Sequence, residues 1–182
     1  MALFRNARPQ EPLIVSITGV RMGHHIVGVI GSHPGPFLEM AAKVGITGGA
    51  YALTTDAGAV SRLQAAAAAH GVLVDAGPLA SPLPLPDASF DLALVDDRVP
   101  RDGAHASSVA LFTEILRVLR RGGRIIVAVP APAGAFTGLF GLTSKPPDVQ
   151  PLLDQLRKAG FTAARLLASR GGVGYLEAAR PM

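Results

Sequence analysis

Cysteine is absent from the 182 residues, which excludes disulfides and any thiolate metal site. Aromatic residues make up 5% of the chain, leaving little with which to stack nucleic-acid bases. Charged residues are also scarce, 16% against 49% hydrophobic. That balance is far from a disordered composition and suits a sheet buried on both faces. No apolar run approaches the ~20 residues that span a bilayer. Residues 1–11 are polar and lack the apolar core of a secretory signal. The expectation is a cytoplasmic protein with no membrane span, forming one domain over residues 1–182 with 1–11 as a flexible tail.

The net charge is +4, which raises the question of an anionic partner. The basic residues are spread along the chain, so no nucleic acid is expected. Their densest group is Arg117, Arg120, Arg121 and Arg124. Three of these fall at the end of an expected helix, where cations meet the negative end of the dipole.

Hydrophobic periodicity and glycine punctuation divide the chain into alternating elements. Residues 25–30 read as a first buried strand, and the loop Gly31-Ser32-His33-Pro34-Gly35-Pro36 follows it. A helix over 37–44, a strand over 49–54, a helix from an Asp56 cap to His70 and a short strand over 72–75 come next. His70 is placed to interact with the terminal carbonyls of its helix. The proline-rich stretch 78–86 is a loop, since proline lacks the donor that helices and central strands need. Residues 90–95 form a fourth strand. The next helix puts Val109, Phe112, Leu116 and Leu119 on one stripe with Ile115 beside it, and ends at Gly122-Gly123. A strand over 124–129 follows, then a long loop from 130 to 147 and a helix capped by Asp148. Strands over 161–167 and 173–178 close the chain as a hairpin through Arg170-Gly171-Gly172. Strands alternating with helices imply a mostly parallel, doubly wound sheet with right-handed crossovers.

Two stretches carry a resemblance. One is Leu83-Pro84-Leu85-Pro86-Asp87-Ala88-Ser89-Phe90-Asp91-Leu92-Ala93-Leu94-Val95. The other runs from Leu111 through Glu114-Ile115-Leu116-Arg117-Val118-Leu119 to Gly122-Gly123-Arg124-Ile125-Ile126-Val127. With Gly19-Val20-Arg21-Met22-Gly23 and the outer glycines Gly31 and Gly35, they resemble a class I S-adenosylmethionine-dependent methyltransferase, and most closely the type 11 kind. The resemblance implies a single-domain α/β fold with a seven-stranded, mostly parallel, Rossmann-like sheet and an antiparallel last strand. It further implies S-adenosylmethionine as cofactor and methyl transfer to a small, apolar molecule. By the same resemblance the cofactor-binding residues are Gly31, Ser32, His33, Gly35, Thr54, Thr55, Asp56, Leu79 and Asp96.

Several positions depart from the family pattern. Val29 stands where an acidic residue is usual, and His33 replaces the middle glycine. Thr54 ends the second strand where an Asp or Glu is usual, with Asp56 two residues later. Leu79 holds the place of a further acidic residue, with Asp75 upstream. Each lost carboxylate removes a charge-assisted hydrogen bond of roughly 1.5–3 kcal/mol, so two or three losses weaken binding about a hundredfold or more. A degenerate fold that serves as a binding or partner subunit is therefore the alternative reading.

Candidate chemistry is sparse. Asp96 and Asp97 follow the fourth strand, and Asp96 is the candidate catalytic residue, orienting or deprotonating substrate. Both carboxylates could equally solvate the next turn beside Arg98 and Arg101. His24, His25 and His33 are close in sequence, but no i,i+4 pair completes a metal site. His33 is either a base or a space-filler where a cofactor would lie. Phe136, Leu139, Phe140 and Leu142 in the long loop could form a lid, a substrate wall or core. Ser107 and Ser108 suit helix caps better than nucleophiles, with no Gly-x-Ser-x-Gly elbow. The partners expected are a small-molecule substrate or a protein, and a homo-oligomer could supply a missing pocket wall.

Overall fold

A strand covered on both faces needs apolar side chains at successive positions. The computed structural model shows this in the central strands, where Ile26, Val27 and Val29, and Leu92 to Val95, are all buried. It describes residues 12–54, 57–96, 108–131, 148–170 and 172–182. The elements are α1 (Leu13–Thr18), β1 (His25–Val29), α2 (Gly35–Val44), a 3-10 turn (Gly45–Thr47), β2 (Gly49–Thr54), α3 (Ala57–Ala69) and β3 (Asp75–Pro78). They continue with β4 (Phe90–Asp96), α4 (Val109–Val118), β5 (Leu119–Pro130), α5 (Gln150–Lys158), β6 (Thr162–Arg170) and β7 (Val173–Ala179).

The sheet has seven strands in the order β3-β2-β1-β4-β5-β7-β6. Pairing is parallel from β3 to β5. The last strand, β7, runs antiparallel to both β5 and β6. This is the expected seven-stranded, Rossmann-like arrangement.

Side chains alternate across the sheet, giving two cores. Val27, Val29, Leu53, Ala93, Val95, Ile125 and Val127 meet Phe112, Ile115, Leu153 and Leu156 of α4 and α5. Ile26, Ala52, Leu92, Leu94 and Ile126 meet α1, α2 and α3 through Val15, Phe37, Leu38 and Leu63. Gly28 sets the closeness of α2, because a Cβ there would lie 2.6 Å from Phe37 Cδ2. The missing side chain lets the Phe37 ring rest on the strand backbone.

Three expectations need correction. The third strand is Asp75–Pro78 rather than 72–75. Val72 and Val74 instead pack as partly buried residues on the α1–α3 side, and Pro78 is tolerated because β3 is an edge strand. The α4 helix stops at Val118, since Leu119 already pairs with Phe90, and Gly122-Gly123 lies inside β5. The buried stripe of α4 is Phe112, Ile115 and Val118, while Val109 is exposed.

The arginine group is likewise not a dipole cluster, for only Arg117 lies in the last turn of α4. Arg117 binds Glu114, Asp87 and the carbonyls of Leu83 and Leu85. Arg120 pairs with Asp91, and Arg124 pairs with Glu177. These cations hold loops and strands together. No helix among the described residues is long and apolar enough to cross a membrane.

Candidate functional site

The strand order reverses at β1, whose neighbours are β2 on one side and β4 on the other. In open α/β sheets such a reversal leaves a crevice beyond the carboxyl ends of the strands. Val29 pairs with Leu53 and with Val95. The next residue on each strand is therefore Ile30, Thr54 and Asp96, side by side. The Ile30 N–H donates to the Leu53 carbonyl at 2.9 Å, carrying the ladder to the mouth of the crevice. The loop from Gly31 to Gly35 then leaves the sheet and enters α2.

Alternation decides which side chains face this mouth. Asp96 shares its parity with Leu92 and Leu94, and Thr54 shares its parity with Ala50 and Ala52. Both lie on the α2 side of the sheet. Val29 has the opposite parity and is buried in the core with α4 and α5, so no side chain at that position reaches the α2 side. Leu79 is partly buried against that same core, and its N–H donates to the Thr54 carbonyl at 2.6 Å.

Asp96 is the buried carboxylate of the mouth, with its side chain only 3% exposed. His33, whose side chain is 51% exposed, brings Nδ1 to 3.9 Å from Asp96 Oδ2. That separation suits an ion pair when the imidazole is protonated and is too long for a hydrogen bond. His33 thus leans from the loop toward the strand end and is not buried as a plug. Gly31 and Gly35 are partly buried and Ser32 is exposed. A Cβ built on Gly35 would meet nothing within 4 Å, so the space beside the start of α2 is open. The first turn of α2 has no acidic residue, and Pro36 sits near its start. Its leading N–H groups lack intrahelical partners by geometry. Thr54 is buried at the end of β2.

The structure thus brings together Gly31, Ser32, His33, Gly35, Thr54 and Asp96. Thr55 and Asp56 lie outside the described residues, as do Asp97, Arg98, Arg101, Ser107 and the apolar residues of the 132–147 loop. Ser108 caps α4, accepting the Leu111 N–H at 3.2 Å. Asp148 accepts the Gln150 N–H at 3.3 Å. His24 accepts the Arg21 N–H at 3.3 Å, and the His25 ring lies against Gly49. Among the described residues no three His, Asp or Glu side chains gather as metal ligands. The His33–Asp96 approach was not legible in sequence, because it joins a loop to a strand end 63 positions away; its only trace was the histidine in a glycine's place.

Residues 29–127, more than half of the chain, match the family described as a methyltransferase domain. The chain belongs to this methyltransferase domain family. The matched stretch runs from the last residue of β1 into β5, so it includes the glycine loop and the ends of β2 and β4.

Solved structures agree on the fold. The methyltransferase domain is similar to a SAM-dependent methyltransferase from Aquifex aeolicus at 15% identity, with a TM-score of 0.71, over 92% of this chain and 87% of that one. It is similar to a SAM-dependent O-methyltransferase from Thermotoga maritima at 16% identity and TM-score 0.69, over 93% of this chain and 63% of that one. A third relative in fold is the [4+2]-cyclase SpnF, at 20% identity and TM-score 0.68, over 93% of this chain and 79% of that one. No curated protein matches the chain by sequence.

The methyltransferase domain also has a hollow of about 370 Å³ at the opposite rim of the sheet. It opens at the amino ends of β2 and β3, between Gly49 and Asp75, with Ile46 and Leu73 on its lip. It is separate from the mouth that holds Asp96.

Proposed function

We propose that this protein is an S-adenosylmethionine-dependent methyltransferase acting on a small, apolar molecule. The observation that carries the reading is Asp96, a buried carboxylate at the carboxyl end of β4 beside a glycine loop. The residues fit a cofactor that is cationic and needs close backbone approach. Gly31 and Gly35 give that approach, the space at Gly35 is open, and Asp96 offers a negative charge. Thr54 can give a hydroxyl at the end of β2.

When bound, the cofactor supplies a methyl group on a positively charged sulfur. The chain's own contribution is alignment, which supplies much of the rate in such transfers. The glycine loop and the start of α2 hold one side of the cleft. Asp96 orients the acceptor and takes its proton at a carboxylate oxygen. Burial of this carboxylate, whose side chain is 3% exposed, strengthens its field on a cation.

A second reading, a member of the family that binds but does not transfer, is favoured by Val29 and Leu79. Both are packed into the α4–α5 core, so two positions that usually carry carboxylates offer none. A transfer assay with radiolabelled methyl donor over a panel of apolar alcohols, phenols and carboxylic acids separates the readings. Labelled product from the wild type, and its loss in Asp96→Asn, supports the enzyme. Donor binding with no labelled product across the panel supports the second reading.

A further inference from the structure

Large apolar side chains are rarely left in water without a reason when they gather in one place. Met22, Ile46 and Leu73 are 75%, 94% and 85% exposed. Each belongs to a connection that enters a strand: Met22 precedes β1, Ile46 precedes β2 and Leu73 precedes β3. These strands are neighbours in the sheet, about 4.8 Å apart. The three residues therefore follow one another along the amino rim. They also share the hollow there, with Ile46 and Leu73 on its lip. A Cβ built on Gly45 in its wall would lie 3.9 Å from Met22 Cγ. Backbone bonds fix the row from behind. The Gly23 N–H donates to the Val44 carbonyl at 2.9 Å, the Gly49 N–H to His24 at 3.1 Å and the Val72 N–H to Ala67 at 3.0 Å. The surface is thus formed before any partner arrives, which spares an ordering cost.

Opposite charges stand at the two ends of this row. Arg21 adjoins Met22, and Asp75 lies just past Leu73; both are exposed. Among the described residues neither side chain has a hydrogen-bond or ion-pair partner. We infer that this rim docks a second copy of the chain in a two-fold contact. Such a contact sets one patch against itself, with the second row turned end for end. Ile46 then meets Ile46 at the axis, Met22 of each copy meets Leu73 of the other, and Arg21 of each copy meets Asp75 of the other. The hollow receives the side chains that stand proud of the row. A partner of uniform charge lacks this match, since it satisfies one end of the row and is repelled by the other. The mouth with Asp96 lies at the opposite rim and stays open, so the contact does not depend on the activity proposed above.

The test is analytical sedimentation of the full chain from about 1 to about 200 μM. The wild type dimerises with a dissociation constant of about 1–100 μM, in keeping with a small interface. Ile46→Asp is monomeric throughout, and its thermal midpoint is unchanged because the side chain it replaces is exposed. Arg21→Glu and Asp75→Arg each set like charges against one another at both ends of the contact. Each weakens self-association about tenfold or more. Mixed in equal amounts, these two variants dimerise with each other to within about threefold of wild-type affinity, since opposite charges again face at both ends. A wild type still monomeric at about 200 μM overturns the inference and leaves the face to a different protein. A dimer that Ile46→Asp leaves intact, or single charge variants that do not recover on mixing, overturns it as well.

Discussion

The carboxylate of Asp91 holds the start of β1, accepting the His25 N–H at 2.7 Å. Its other oxygen is buried and faces the Arg120 guanidinium as an ion pair without hydrogen-bond alignment. One side chain at the amino end of β4 thus ties that strand to both its neighbours, β1 and β5. It lies at the end of the sheet away from the ligand mouth, so its role is in stability.

Replacement of Asp91 by alanine removes an acceptor and leaves Arg120 without its partner. Asp91→Ala is expected to lose about 2–3 kcal/mol of stability. Denaturant unfolding measures the loss. Affinity for S-adenosylhomocysteine should be unchanged within about twofold, because Asp96 sits a strand length away.

The second prediction concerns acid. Glu114 accepts from Arg117 at 2.9 Å and from the Leu83 N–H at 2.8 Å. The Arg117 guanidinium foremost, then the Leu83 N–H, holds the Glu114 carboxyl below its ordinary 4.5. A carboxyl whose pKa is lowered by folding stabilises the fold above its unfolded value. That contribution fades as pH falls below about 4.5 through the folded value. Thermal midpoints of wild type and Glu114→Gln should therefore differ at neutral pH and converge in acid. A constant gap between the two curves would speak against this network.

Close packing at Gly28 gives a third. Gly28→Ala would press a methyl group to 2.6 Å from Phe37 and 2.7 Å from Ile30 Cδ1. Phe37 is fully buried and has no room to retreat. Overpacking of this kind costs about 1–3 kcal/mol. Since α2 follows directly from the glycine loop, ligand affinity should fall with stability in this variant, unlike Asp91→Ala.

The strand ends allow a gain-of-function prediction. Thr54 occupies the place where the family usually has a carboxylate, and it is buried. Thr54→Asp introduces a buried charge, which lowers the stability of the free protein. If the ligand's hydroxyl groups reach this position, they satisfy that carboxylate. The shift in thermal midpoint on adding S-adenosylhomocysteine should then exceed that of the wild type, through about tenfold tighter binding.

Much of the fold was legible because it depends on repeating physics. The strand at 49–54 matched residue for residue, and glycine stops marked the ends of helices at Gly45 and Gly160. The errors came where tertiary pairing overrides local pattern. Val72 and Val74 look like a strand, but the β2 register recruits Asp75 to Pro78 instead. Gly122-Gly123 looks like a helix stop, but Leu119 pairs with Phe90 three residues earlier. The arginines show the same limit, since spacing revealed their density and not their partners. At the site, the glycine loop and Asp96 were readable from order along the chain. The closeness of His33 to Asp96 was not, because it joins a loop residue to a strand end far away in the chain.

The central claim is that the mouth between β1 and β4 takes the methyl donor. The most direct measurement is calorimetric titration with S-adenosylhomocysteine. The account predicts one site per chain, with a dissociation constant between about 10 μM and about 1 mM. It also predicts that Asp96→Asn weakens binding of S-adenosylmethionine, whose positive sulfur the carboxylate serves in this reading, about tenfold or more. Absence of any heat of binding up to about 1 mM ligand would contradict the claim.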